Sequence, residues 1–116
     1  MPTTAYKILG QTLPSANTLS NVYVTGASVS AILNTITICN QSAANANVDI
    51  VVRPINEALN AKHYILKNIQ IPRADSLIFS PGITIGADVI VACNNAVATG
   101  ETAANVSFNV YGVELT

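Results

Sequence analysis

The residues that could carry out chemistry are few and scattered along the chain. His63 is the sole histidine, so a Ser-His-Asp or Cys-His arrangement would have to be built on it. No G-x-S-x-G elbow accompanies it, and the six acidic residues stand singly, without a pair suited to acid–base catalysis or calcium. We therefore predict that the chain is not an enzyme and has no catalytic, cofactor-binding or metal-binding residues. His63 is assigned to a strand surface.

The two cysteines raise the question of a disulfide. Cys39 and Cys93 are spaced much like the inter-sheet disulfide of immunoglobulin domains. The chain has no tryptophan to pack on such a bridge, and Val91 occupies the position of the tyrosine corner. Two cysteines cannot form a zinc site, and a cytoplasmic product would keep them reduced. We expect two separate buried thiols.

The stretch Cys39-Asn40-Gln41-Ser42 is a third candidate, because Asn40 begins an N-x-S pattern that recurs at Asn105. The N-terminal residues lack the charged and apolar regions of a secretory signal, so neither asparagine is expected to be glycosylated. Asn and Ser side chains commonly bond to nearby backbone where a strand ends. We interpret residues 40–47 as a neutral rim loop with no chemistry.

The elements that would position these residues are strands, because helical periodicity is nearly absent. Alternating apolar residues and turn signals predict strands at 6–9, 21–25, 31–39, 48–53, 63–71, 76–79, 88–93 and 105–114, with Gly10 ending the first. The segment 55–62, INEALNAK, is interpreted as a loop. About eight short strands predict an all-β, two-sheet antiparallel β-sandwich of immunoglobulin-like or jelly-roll type. Residues 1–116 are expected to form a single domain.

The alternation also predicts which side chains share a face of a strand. Three sets are expected to do so: Ile32, Ile36 and Ile38; Ile65, Ile69 and Ile71; and Val106, Phe108 and Val110.

The N-terminal residues 1–13 are a possible arm. They either pair within their own sandwich or reach across to another subunit. Sandwich edges are usually protected by Lys, Pro or bulges, yet lysine is scarce here. We therefore expect a homo-oligomer, with Tyr6, Ile8, Leu9 and Leu13 as interface residues.

The composition indicates an unusually neutral surface. Charged residues make up 9% of the chain, where soluble domains have about 25%, and the formal net charge is −1. Such a surface favours a protein held in an assembly over a small neutral secreted domain. The five cationic residues are dispersed, so we predict no nucleic-acid binding. No apolar run reaches about 18 residues, so no membrane-spanning segment is predicted.

Several phrases occur together in this chain: YKILGQ, ITICNQS, HYILKNIQI followed by GITIGADVIVA, and VSFNVYGVELT. Over nearly its whole length the chain resembles a family of small virion structural proteins of tailed bacteriophages, especially cyanophages. In that family a proline often follows the second strand and a cationic residue often follows the Cys-Asn pair. Here Val24-Thr25-Gly26 and Gln41 occupy these positions, and the missing cation at Gln41 puts any shared interface salt bridge in doubt.

The resemblance implies a virion component assembled in the host cytoplasm, with no catalytic residues. Its partners would be other virion proteins, either the major capsid protein or tail proteins. The expected role is a capsid decoration or cement subunit. The alternative is a tail fibre or baseplate component involved in host-surface recognition.

Overall fold

Two antiparallel sheets enclose the apolar core of the protein. The computed structural model describes residues 4–14, 17–97 and 105–116. Within these ranges the strands, in chain order, are β1 Thr4–Thr12, β2 Ser20–Val24, β3 Ser30–Asn40, β4 Ala46–Pro54, β5 Tyr64–Ile71, β6 Ser76–Phe79, β7 Ile83–Ile85, β8 Val89–Val97 and β9 Val106–Leu115. A short 3₁₀ helix, Ala61–His63, precedes β5. The prediction of an all-β sandwich is confirmed.

The strand order identifies the type of sandwich. One sheet, which we call the β1 sheet, has the order β1-β9-β3-β6, with β7 also pairing with β3. The other, the β2 sheet, has the order β2-β8-β4-β5. The antiparallel pairs β4 with β5, β3 with β6 and β7, β2 with β8, and β1 with β9 are nested inside one another along the chain. This nesting is the connectivity of a jelly roll, in which β6 and β7 share one strand position.

The core lies between the sheets and follows the alternation of the central strands. Val106, Phe108 and Val110 are fully buried on β9, as the sequence predicted. Val48 and Ile50 face them from β4, which lies in the other sheet. Roughly 1.5–3 kcal/mol is gained for each fully buried side chain of this size, so these central strands account for much of the stability.

The predicted face of β3 is wrong for its first half. The register of β3 on β9 shifts at Asn34, which is an extra residue in the strand, a β-bulge. Leu33 therefore joins Ile36 in the core, and Ile32 turns to the outer face of the sheet. A Cβ atom at Gly112 would overlap the carbonyl oxygen of Ile32, so the close approach at the bulge requires glycine there.

The predicted face of β5 is wrong for its first half. The register of β5 on β4 shifts twice, and Asn68 takes a left-handed conformation with φ of 53°. The Asn68 N–H donates to Oδ1 of Asp49 at 2.7 Å, which stabilises the distortion. As a result Leu66 packs against the core and Ile65 is turned away from it. Ile69 pairs with the core residue Val48 and so keeps the side of the buried Ile71, although it is 37% exposed at the edge of the sheet.

Strand β1 continues through Gly10, which was predicted to end it. A Cβ atom at Gly10 would overlap the carbonyl oxygen of Val22, so glycine allows β1 to approach β2 where the two sheets meet. The described part of the N-terminal segment, Thr4–Thr12, pairs with β9 of its own chain. Of the two alternatives for residues 1–13, the structure therefore places this part within its own sandwich.

Candidate functional site

Asn40, in the segment singled out by sequence, is a fully buried structural residue at the end of β3. Its Nδ2 donates to the carbonyl oxygens of Ala44 at 2.9 Å and Ile71 at 3.0 Å. Its Oδ1 accepts the Ser42 N–H at 3.0 Å. One side-chain amide thus joins the end of the β1 sheet to the loop that follows it and to the end of β5 in the other sheet.

Ser42 and Gln41 extend this network to the start of β9. The Ser42 Oγ accepts the Asn105 N–H at 3.0 Å, and the Gln41 N–H donates to the Asn105 carbonyl oxygen at 2.6 Å. Ser42 is buried. The two N-x-S segments therefore bond to each other across one end of the sandwich, and their polar groups serve the backbone as predicted for this rim.

His63 does not lie on a strand surface, and that prediction is wrong. It ends the 3₁₀ helix and is buried, with its Nδ1 accepting the Asn60 N–H at 3.0 Å. Its Nε2 lies 3.3 Å from Oε1 of Glu57. The hydrogen bond from Lys62, followed by that from His63, lowers the pKa of the Glu57 carboxyl. Both ring nitrogens of His63 are occupied by contacts that hold the β4–β5 connection.

The two cysteines are free, as predicted. Cys93 is fully buried in the core, and burial raises the pKa of its thiol to about 12. Cys39 is half-buried and pairs in register with Ser107, which alternates with the core-facing residues of β9. The Cys93 side chain thus points into the core, whereas the Cys39 side chain points away from it. This difference explains why the two thiols are not bridged.

A side-chain hydrogen bond that connects the two sheets was not predicted. Tyr23, on β2, donates its hydroxyl to Oε2 of Glu114 on β9 at 2.6 Å, and Lys7 Nζ lies 2.9 Å from Oε1. Burial, followed by the hydrogen bond to Glu114, raises the pKa of Tyr23. The hydrogen bonds from Tyr23 and then Lys7 lower the pKa of Glu114. The three residues are far apart in sequence and carry no motif that could have indicated this contact.

Metal-binding clusters are absent from the described ranges, where no three His, Cys, Asp or Glu side chains come together in a way that could hold an ion. In the same part of the chain, no helix has the length and hydropathy needed to cross a membrane.

An open cleft of about 540 Å³ lies beside the 3₁₀ helix, and its lining comprises Leu59, Asn60, Ala61, Tyr64 and Lys67. The Lys67 ammonium lies 4.3 Å from the centre of the Tyr64 ring and 3.7 Å from Oδ2 of Asp49. The cation is therefore already held by an aromatic face and a carboxylate of the same chain.

The four predicted interface residues fall into two groups. Tyr6 and Ile8 are 81% and 53% exposed, and Leu13 beyond the end of β1 is also exposed. Leu9, by contrast, is the extra residue of a bulge in β1 and packs into the core of its own sandwich. Three of the four side chains are therefore available at the surface.

The outer face of the β1 sheet carries uncharged side chains. Because paired residues point to the same side of a sheet, the register arranges them in rows. These rows are Tyr6, Val113, Ile32 and Thr84; Ile8, Tyr111 and Thr35; and Gln11, Asn109, Thr37 and Ile78. Apolar and aromatic side chains are concentrated at the β1 end of these rows.

Apart from Lys7 and Glu114, which pair with each other on the β1 sheet, the charged residues of the described ranges lie on the β2 sheet and in the connections. Lys67 pairs with Asp49, Lys62 pairs with Glu57, and the Arg53 guanidinium donates to the carbonyl oxygen of Glu57 at 2.7 Å. The two faces of the sandwich therefore differ: one is neutral and partly apolar, and the other is charged but internally paired.

Solved structures with a similar fold include chains from virus particles. The chain aligns over 100% of its length with 94% of a chain from the acid-stable capsid structure of Helicobacter pylori bacteriophage KHP30, with a TM-score of 0.53 and 9% identity. The fold is similar to folds found in virus particles. A second match, to a chain from Desmodium yellow mottle tymovirus, covers 99% of this chain and 85% of that chain, with a TM-score of 0.59 and 9% identity.

A third match is to a longer chain, from the Gt strain of infectious bursal disease virus. It covers 98% of this chain but only 32% of that chain, with a TM-score of 0.52 and 6% identity. The present chain thus spans about a third of that protein. No protein-family model matches the chain, and no curated protein matches it in sequence. At these identities the likeness to solved structures shows the fold.

Proposed function

We propose that the chain is a non-enzymatic structural subunit of a bacteriophage particle that decorates or cements the capsid. The observation that carries the proposal is the nested jelly-roll fold, which aligns over the whole length of the chain with nearly all of a chain from a phage capsid structure. The resemblance of its sequence to small virion structural proteins points the same way. Its partners would be the major capsid protein and further copies of itself, within a virion assembled in the host cytoplasm.

The surface supports a role in assembly. An uncharged face can be buried against a neighbour without the cost of removing charged groups from water, which reaches several kcal/mol for each unpaired charge. The neutral rows on the β1 sheet, with Tyr6, Ile8 and Ile78 exposed, are such a face. A free monomer with this surface and a net charge of −1 has little electrostatic protection against association, whereas a particle keeps its subunits in solution.

The polar residues that suggested chemistry support the non-enzymatic part of the proposal. The Asn40 amide, the Ser42 hydroxyl and both ring nitrogens of His63 bond to groups of their own chain. The Cys93 thiol is buried and held in its protonated form. These groups therefore stabilise turns and the core, and none is presented to a substrate.

Copy number per particle tests the proposal. Quantitative mass spectrometry of purified particles of the virus that encodes this chain should find hundreds of copies, close to the number of capsid subunits. A few copies would instead favour a tail position, and particles that lack the chain altogether would overturn a structural role.

A second candidate is host-surface recognition as part of a tail fibre or baseplate. The open cleft beside Tyr64 and Asn60 favours it, because tyrosine and asparagine side chains commonly contact sugars. One face of the Tyr64 ring is covered by the Lys67 ammonium, which leaves little of the ring for stacking. Calorimetric titration with host-surface glycans would test this role. Binding that is lost in Tyr64→Ala would favour it, and absence of binding would leave the capsid role.

A further inference from the structure

Strand β1 forms one edge of the β1 sheet. It pairs with β9 on one side, and β9 in turn lies between β1 and β3. The other side of β1 has no strand beside it in the described part of the chain. An edge of this kind presents backbone N–H and C=O groups that can pair with a strand from another chain.

The other sheet edges are short or distorted. Strands β6 and β7 have four and three residues, and β2 has five with a register shift inside it. Strand β5 is interrupted by the left-handed Asn68. In β1, by contrast, the segment Thr4–Ile8 continues in register without a break, and its charged residue, Lys7, is paired with Glu114 of the same chain. This segment therefore lacks the devices that usually block strand pairing.

The side chains beside this edge are apolar and exposed. Tyr6 and Ile8 lie on the outer face, 81% and 53% exposed, each beside its partner in the same row on β9, Val113 and Tyr111 respectively. A strand that docks here therefore meets a backbone edge flanked by neutral side chains. A charge facing these side chains would lose hydration without gaining a partner, so the edge fits a strand whose outer-face side chains are uncharged.

We propose that the occupant is β1 of a second copy, which pairs antiparallel around a two-fold axis near Tyr6. In this register the two Tyr6 rings face each other, each Ile8 lies opposite a Thr4, and each Lys7 lies opposite an Ala5. Aromatic cross-strand pairs are favourable, and the two Lys7 ammonium groups remain two residues out of register, each near its own Glu114. The β1 sheets of both copies then form one continuous sheet.

The size of the contact sets its strength. Five residues at about 3.4 Å per residue give a paired segment of about 17 Å, and an interface of this length buries less than about 1,200 Å². Such interfaces are weak, so the pair should form reversibly as concentration rises. The inference goes beyond the proposed function, because it concerns how two copies meet whether or not they are built into a particle.

Sedimentation equilibrium tests the pairing. Between micromolar and about 1 mM protein, the average mass of the wild type should rise from 12.1 kDa toward twice that value. Tyr6→Lys should remain monomeric. The matched control is Ile78→Lys, which is 67% exposed on β6 of the same sheet and should associate as the wild type does. Thermal melting would verify that both variants are folded. A wild type that stays monomeric, or equal association of Tyr6→Lys, would overturn the proposal.

Cross-linking tests the register. Opposite residues of an antiparallel pair have Cα atoms about 4.5–5.5 Å apart, within the range that a disulfide spans. In a Cys39→Ser background, Tyr6→Cys should therefore give a covalent dimer on oxidation, whereas Ile78→Cys should not. Equal linking at the two positions, or none at Tyr6→Cys, would refute pairing near Tyr6. If the protein dimerises in solution but is absent from particles, the proposed function is refuted and this inference stands.

Discussion

Replacing Asn40 by alanine tests whether the rim of the sandwich depends on one buried amide. The substitution removes donated hydrogen bonds to Ala44 and Ile71 and one accepted from Ser42, all between 2.9 and 3.0 Å, together with a longer contact from Nδ2 to the Pro72 carbonyl oxygen at 3.3 Å. At about 1 kcal/mol for each hydrogen bond, Asn40→Ala should lower the free energy of unfolding by about 3 kcal/mol. For a domain of this size the loss corresponds to a fall in Tm of roughly 12 °C.

Asn40→Asp gives a sharper result, because it keeps the shape of the side chain and exchanges the donor for an acceptor. An aspartate here would face the carbonyl oxygens that Nδ2 now contacts, so the folded state should raise the pKa of the new carboxyl above its unfolded value of about 3.9. The folded state then binds a proton that the unfolded state releases. The variant should be most stable below this pH and lose stability as the pH rises toward neutrality.

Urea unfolding followed by circular dichroism between pH 3 and pH 8 would measure both effects. Asn47→Asp is the matched control, because Asn47 is exposed on β4, the next strand along the chain. The free energy of unfolding of this variant should differ from that of the wild type by less than about 0.5 kcal/mol. A loss below about 1 kcal/mol for Asn40→Ala, or an Asn40→Asp variant with the same pH dependence as the control, would refute the structural role assigned to this amide.

Three further predictions concern other contacts. Tyr23→Phe should lower the free energy of unfolding by about 1–2 kcal/mol at pH 7, because the hydrogen bond to Glu114 is removed. The lowered pKa of Glu114 stabilises the wild type above pH about 4.5, and this stabilisation is lost as the pH falls. The free energy of unfolding, measured between neutral and acidic pH, should therefore depend less on pH in the variant. Gly10→Ala should lose at least about 2 kcal/mol in urea titrations, whereas Gly86→Ala, where an added Cβ meets no atom within 4 Å, should be near neutral. Cys93 should resist iodoacetamide in the folded protein and react after unfolding, as read by mass spectrometry, because it is buried and its thiol pKa is about 12.

Most of the strands could be predicted from sequence because they are runs of β-branched or aromatic residues bounded by Gly, Pro or Asn, whereas the three-residue β7 was not among the predicted ranges. The prediction on β9 is correct because that strand keeps its two-residue period from Val106 through Val110. The prediction on β3 fails because a bulge reverses the alternation at Asn34. Nothing near Asn34 indicates the bulge, since the residue that permits it, Gly112, lies on another strand.

The site was harder to predict than the fold, because its contacts join residues that are far apart in sequence. The hydrogen bond from the Asn60 N–H to Nδ1 of His63 is local, and an asparagine followed three residues later by a side-chain acceptor is a pattern that could have indicated it. The contact between Tyr23 and Glu114 links strands in different sheets and depends on their register. Among the four residues predicted for an interface, Leu9 is buried and the other three are exposed, and this difference depends in the same way on register, through a bulge in β1.

The scarcity of charge in this chain has two separate physical origins. At the ends of the sandwich, loops pass from one sheet to the other and leave backbone groups without ladder partners. Neutral side chains such as Asn40, Ser42 and Thr25 can bond to these groups while buried, whereas a charged side chain would carry an added desolvation cost. On the outer face of the β1 sheet no such need exists, because the backbone is already paired. The absence of charge there therefore calls for a different explanation, and burial of this face against a neighbouring subunit, as proposed for the particle, provides one.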